Sequence, residues 1–201
     1  MLPFSDKRPL LYGASLLLLV ACSTTQRQQG QEASGPESPA LPRSYDQALV
    51  LMGSGDYTQA IPVLQKFIDE EPEFAGPYLN LGIAYRNTGQ LDAALGALHK
   101  AIELNPTSPV AHHQIAIVQR QLGAFEAALE AYTQALELAP DYALAHRNLG
   151  ILYDLYLQQP AAALNHYRTY LELSPQPDNE VRDWVVDLER RVTSAQAKAE
   201  R

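Results

Sequence analysis

The hexapeptide Asn80-Leu81-Gly82-Ile83-Ala84-Tyr85 returns 68 residues later as Asn148-Leu149-Gly150-Ile151-Leu152-Tyr153. Midway between them, Gln114-Ile115-Ala116-Ile117-Val118-Gln119 carries a weaker version, so the period is 34 residues. A period of that length marks stacked helical hairpins, because one hairpin cannot bury its apolar face alone and must lean on the next. The 201 residues suffice for one domain of this kind, and an apolar share of 46% can fill its core.

Four registers fit the period: 41–74, 75–108, 109–142 and 143–177. The second carries Tyr78, Leu81, Gly82, Tyr85, Ala94, Leu98 and Pro106. The third carries His112, Ile115, Ala116, Gln119, Ala128, Tyr132 and Pro140. The first is degraded in its opening half, with Ser44, Gln47, Ala48 and Leu51, then Ala60, Leu64 and Pro72. The fourth opens with His146, Leu149, Gly150 and Tyr153, but its second half runs one residue late at Ala163, Tyr167 and Pro175. That slip predicts one extra residue in its inter-helix turn, which is expected to protrude. Small residues at Ala48, Gly82, Ala116 and Gly150 face small partners at Ala60, Ala94, Ala128 and Ala163, where two helices must approach closely. Gly55, Gly89 and Gly123 are placed to end each first helix in a left-handed residue. In the fourth register Leu157 stands where glycine is expected. Pro62 is expected within the opening turn of its helix, where N–H groups lack partners anyway.

These positions resemble the tetratricopeptide repeat (TPR) family over residues 41–177. The resemblance implies an all-α fold: a TPR α-solenoid of about four helical hairpins. After it, residues 178–201 place Val181, Trp184, Val185, Leu188 and Val192 at helical spacing, with charges on the opposite face. A C-terminal helix that caps the open end of the last hairpin is expected.

The N-terminus reads as an address. Lys7 and Arg8 precede an apolar run from Leu10 to Ala21. That run is too short for a bilayer, which needs about 20 residues, but it suits a secretory signal. It ends in Leu19-Val20-Ala21-Cys22, which resembles the lipobox of bacterial lipoproteins. The resemblance implies a signal peptide at 1–21 and a mature chain starting at Cys22, with diacylglyceryl on its thiol and a fatty acid such as palmitate on its amino group. Several acyl chains anchor stably where one does not. Ser23, rather than Asp, follows the cysteine, which in that class favours the outer membrane over the inner. The rest of 22–42 is polar and proline-punctuated, a disordered tether of roughly 25 Å coil reach.

Net charge is −8, which argues against nucleic acid as a partner. There is no Gly-rich phosphate loop, no H-E-x-x-H and no G-x-S-x-G. His99, His112, His113, His146 and His166 are not spaced as a metal-ligand set. No enzyme activity, cofactor or metal is expected.

What remains is a surface. In the TPR family the first helices line a concave groove. Carried onto this chain, its rows are Tyr45, Leu79, His113 and Arg147 at the fifth position, and Asp46, Asn80, Gln114 and Asn148 at the sixth. The ninth position holds Leu49, Ile83, Ile117 and Ile151; the twelfth holds Met52, Arg86, Arg120 and Asp154. Three amides can serve an extended peptide backbone, the aliphatic row can take its apolar side chains, and the arginines an acidic character. Chaperone-binding relatives clamp a C-terminal carboxylate with lysine and asparagine in their first repeat. Tyr45 and Leu49 stand there instead, so that clamp is not expected. The expected function is a membrane-anchored, periplasm-facing scaffold for envelope proteins. Two finer roles are expected alternatives. One is an assembly factor similar to the pilotins of outer-membrane secretins and type IV pili. The other is an accessory of a cell-wall hydrolase or of a TonB-type complex.

The lipobox generates the first prediction. Cys22→Ala is expected to leave the protein unacylated and released from the membrane fraction. Radiolabelled palmitate entering the Cys22→Ala variant would refute the lipoprotein reading.

Overall fold

A computed structural model describes residues 43–176 and 178–199. The expected signal peptide, Cys22 and the tether lie outside the described residues. Among the described residues the chain is nine α-helices and no strand. They pair as hairpins: α1 (Arg43–Gly53) with α2 (Tyr57–Glu70), α3 (Ala75–Asn87) with α4 (Leu91–Leu104), and α5 (Pro109–Gln121) with α6 (Phe125–Leu138). The fourth pair is α7 (Ala143–Ile151) with α8 (Pro160–Leu173), and α9 (Asn179–Ala199) follows. No helix of the described residues is long and apolar enough to cross a membrane.

Close approach within each hairpin explains the small residues. A Cβ on Gly82 would stand 2.5 Å from Leu98 Cγ and 3.2 Å from the Ala94 carbonyl oxygen. A Cβ on Gly150 would stand 2.6 Å from the Tyr167 ring. Ala60, Ala94, Ala128 and Ala163 are fully buried against these seams. Gly55, Gly89 and Gly123 adopt φ of 82°, 79° and 79°, closing the first helices in the left-handed region. Pro72, Pro106, Pro140 and Pro175 each lie just beyond a second helix, where a proline cannot continue it.

Two local expectations are corrected. Pro62 is the sixth residue of α2, past its unpartnered N–H groups. The Thr58 carbonyl therefore lacks its helical donor, and its exposure lets water take that place. The extra residue of the fourth repeat is absorbed in the helix and not in a protruding turn. After Ile151 the helix widens into a π-helical turn over Leu152–Tyr156, with the Leu157 N–H donating to the Leu152 carbonyl. Gln158, and not Leu157, then takes the left-handed position, at φ 54°. The Gln159 N–H reaches the Tyr153 carbonyl, as Gln90 reaches Tyr85 in the second repeat, but across one more residue.

The core is a row of clusters rather than one centre. Ala48, Leu64 and Phe67 lead the first, Leu98, Val118, Tyr132 and Leu152 the second. The third joins Ala163, Tyr167 and Tyr170 of α8 to Val181, Val185 and Leu188 of α9. The cap is thus built on Val181 and Leu188, which are fully buried, while Trp184 is only half-buried. Ion pairs Arg168–Glu189 at 2.7 Å and Arg191–Asp154 at 2.9 Å stitch its polar side. Exposed pairs of this kind contribute about 1 kcal/mol at most, so apolar burial decides the docking.

Leu188→Ala is expected to cost about 2–5 kcal/mol. In a linear array the loss falls first on the neighbouring repeat. Native-state hydrogen exchange is expected to accelerate most in α7 and α8. Acceleration spread evenly from α1 to α8 would contradict a docked cap.

Candidate functional site: the inner face of the first helices

The helices α3 and α5 touch across the repeats more closely than α4 and α6 do. The first helices of these two repeats therefore lie side by side, and the side that the first helices line corresponds to the groove expected of the fold. On them, residues four and seven apart share one face, giving the stripes Leu79-Ile83-Arg86, His113-Ile117-Arg120 and Arg147-Ile151-Asp154.

Successive first helices are joined by a polar ladder. Asn80 Nδ2 donates to Tyr45 Oη at 2.6 Å. Asn148 Nδ2 donates to His113 Nε2 at 2.8 Å. Both bonds link a fifth-position residue to a sixth-position residue of the next repeat, 35 residues on. The last rung leaves the repeats: Arg147 Nε lies 2.9 Å from Asp178 Oδ2. That N–H is not aimed at the oxygen, so the contact is an ion pair and not a well-formed hydrogen bond. Between the first two rungs the ladder breaks. The position that should meet Gln114 is Leu79, which has no polar atom, and Gln114 Oε1 is buried without a partner.

This corrects the expected row of three open amides. Side-by-side packing of the first helices points Asn80 and Asn148 along the stack, where each binds a neighbouring repeat. Among the three, only Gln114 keeps a buried, unpartnered oxygen. The aliphatic row is also uneven. Leu49 is exposed, Ile83 and Ile151 are half-buried, and Ile117 is core at 7% exposure. The neighbouring repeat covers Ile117, so it is withdrawn as a contact residue.

The arginines differ from one another. Arg147 is paired with Asp178, and its guanidinium carbon lies 5.7 Å from the Trp184 ring centre. Arg86 and Arg120 have no carboxylate partner among the described residues, and each buries an unpartnered Nε. Arg120 lies over the Tyr156 ring, 5.8 Å from its centre. Burial, then repulsion from Arg120, pulls the Arg86 pKa below the usual guanidinium range. Tyr132 Oη is buried beside Arg120; burial raises its pKa, while polar contact with Arg120 and the charges of Arg120 and Arg86 hold it down.

His113 sits between these groups at 3% exposure. Its ring packs on Tyr142 at 4.9 Å and Tyr132 at 5.8 Å. Because Nε2 accepts from Asn148, the proton of neutral His113 is on Nδ1, 3.1 Å from Tyr142 Oη. Burial, then the charge of Arg86, pushes its pKa down to about 4. His166 is also pushed down to about 4, by burial and then by His146, whose Nδ1 is 2.9 Å from its own. His146 and His112 do the same job in their repeats, with Nε2 within 3.0 and 3.2 Å of the carbonyls of Pro140 and Pro106.

The fourth repeat contributes residues that the periodic reading missed. The π-helical turn presents Leu155 at 64% exposure and Tyr156 at 40%. Beside them Ile151, Asp154, Leu155, Tyr167 and Trp184 line a cavity of about 240 Å³. The late second half of the repeat was the one available signal. Asp154 is committed to Arg191.

Neutral burial of His113 and His166 has a pH consequence. Unfolded, both take up protons as pH falls through 6.5; folded, neither does until about 4. Their contribution to stability is full above 6.5 and is lost as pH falls toward 4. The melting temperature is expected to fall between about pH 7 and pH 5, less steeply in His113→Gln than in wild type. Equal slopes would show that His113 is not held neutral.

Comparison with known proteins agrees with this architecture. A tetratricopeptide repeat model matches residues 45–109, and a TPR repeat model matches residues 118–159. No curated protein matches the chain. The crystal structure of the MamA protein is 23% identical, with a TM-score of 0.60, over 79% of this chain and 91% of that one. PilF of Pseudomonas aeruginosa is 19% identical, with a TM-score of 0.68, over 76% of this chain and 68% of that one. YrrB, a TPR protein with an unusual peptide-binding site, is 22% identical, with a TM-score of 0.60, over 75% of each chain. The likenesses in structure are of fold, and the two repeat models together span more than half the chain. A 34-residue register, hairpins closed at small residues and two matching repeat models lead to one assignment: this chain belongs to the tetratricopeptide repeat family.

Proposed function

We propose that this protein is a non-enzymatic scaffold that holds a segment of a partner protein along the inner face of α3, α5 and α7. The observation that carries this reading is the state of that face. Apolar side chains stay open at Leu155 and Tyr156, while Arg86 and Arg120 have no carboxylate partner among the described residues and the Arg86 Nε and Gln114 Oε1 atoms are buried unpaired. Buried unpaired polar groups cost about 1–3 kcal/mol each, so a surface that keeps several has a use for them. A fold relative described as having a peptide-binding site supports the same reading.

The lipobox adds the setting. The scaffold is anchored through Cys22 to the periplasmic face of the bacterial outer membrane and serves an envelope assembly. Within that setting it is an assembly factor for a secretin or pilus, or an accessory of a cell-wall hydrolase or TonB-type complex. The identity of the captured partner separates these roles.

Photoreactive benzoylphenylalanine placed at Ile83 or Ile151 is expected to capture a discrete envelope protein in cells. The same group at Glu130 or Glu137 on α6, both exposed, is expected to capture nothing specific. Capture from α6 alone would move the binding surface to the outer side and refute the proposal.

A further inference from the structure

The two first helices between which the polar ladder breaks, α3 and α5, also carry, further along, the two arginines that lack a carboxylate partner among the described residues. Towards the capped end of the inner face and its rim, charged groups pair within the chain: Arg147 with Asp178, Asp154 with Arg191, Arg168 with Glu189. The chain is acidic overall, with 23 Asp and Glu against 15 Lys and Arg, so two uncompensated cations on one face are not a shortage of carboxylates. The nearest acid on the stripes, Asp154, is held at 2.9 Å by the cap.

Arg86, Arg120, Tyr132 and His113 form one electrostatic neighbourhood, since both cations act on the Tyr132 hydroxyl and on the His113 ring. Arg86 and Arg120 are half-buried and have no carboxylate partner among the described residues, and Arg120 is steadied by the Tyr132 and Tyr156 hydroxyls beneath it. His113 adds no charge and no free donor, because its two nitrogens are taken by Asn148 and Tyr142. The Tyr156 ring under Arg120 restrains one guanidinium fork. Two planar forks, flanked by half-buried Ile83, match a carboxylate carried beside apolar side chains. They do not match a dianionic phosphate, for which no lysine or helix N-terminus is offered here.

We infer that Arg86 and Arg120, at the same position of successive first helices, form an anion subsite in the middle of the inner face that takes the side-chain carboxylate of a partner's Asp or Glu. The inference rests on the groove reading above and names the chemistry of its central contact. A carboxylate there relieves the repulsion between the two cations. It differs from a clamp for a chain terminus, because its ligands lie at the far end of each first helix and no terminal lysine–asparagine pair is present.

The test uses random dodecapeptides displayed on phage, selected on the full-length chain and on its Arg86→Gln/Arg120→Gln variant. Wild type is expected to enrich peptides with Asp or Glu at a fixed distance from apolar residues. The variant is expected to keep the apolar preference and lose the acidic one. A selected peptide with its Glu replaced by Gln is expected to bind wild type about 10-fold more weakly and the variant unchanged. That peptide-side change touches no residue of the protein, so it decides the matter even where the double variant folds poorly. Arg86→Lys/Arg120→Lys keeps the charge without the forks, and is expected to retain a weaker acidic preference. Apolar enrichment without acid on wild type, or equal acid enrichment on both proteins, would overturn the subsite and leave the groove standing. No enrichment on wild type would overturn the groove reading and the subsite with it. Displacement of a selected peptide by micromolar inorganic phosphate would assign the arginines to a free anion instead.

Discussion

Everything in this molecule depends on how closely the two helices of each hairpin approach. Where Gly82 meets Leu98 and Gly150 meets Tyr167, even a methyl group has no room. That contact sets the angle at which a hairpin closes, and the angle sets how its first helix lies beside the next one. The inner face is a consequence. Its ladder forms because one spacing repeats, so a fifth-position side chain arrives beside a sixth-position side chain of the following repeat. Tyr45 with Asn80 and His113 with Asn148 are the same event at different places along the stack.

The array is cooperative only between neighbours, and its irregular end shows what that permits. One extra residue in the fourth repeat would have displaced α8 if it had entered the turn. Placed as a π-helical turn at the end of α7, it leaves the α7–α8 seam at Gly150 and Tyr167 intact. It also leaves Leu155 exposed beside Trp184, and Tyr156 exposed next to Phe125 and Arg120. Such turns recur at functional places in helices, and here it widens the apolar part of the inner face. The cap then draws Asp154 to Arg191 and Arg147 toward Asp178. This removes charge from one end of the face and leaves Arg86 and Arg120 as its uncompensated centre.

The fold was legible because its determinants are local and periodic. Small residues, left-handed glycines and closing prolines act within a few residues of themselves, so the sequence states them directly. The inner face was legible in outline, since the helical period assigns residues to stripes. Its state was not. That Asn80 is consumed by Tyr45 and Asn148 by His113 depends on the distance between repeats, which no single helix encodes. That Ile117 is core while Ile83 is half-open depends on what the neighbouring repeat places over each. The slip in the fourth repeat was visible as a count, but a count cannot say whether a helix or a turn absorbs it. Gln158 has no obvious fitness for φ 54°, and it holds that position because the seams on either side fix the ends of the connection.

The proposed docking surface is the inner face and not the outer helices. A crystal structure of the chain with a peptide selected on it tests this most directly. The peptide is expected to lie across α3, α5 and α7, with an acidic side chain between Arg86 and Arg120 and apolar side chains toward Ile83, Leu155 and Tyr156. A peptide seated on α4 and α6, with Arg86 and Arg120 untouched, would contradict it.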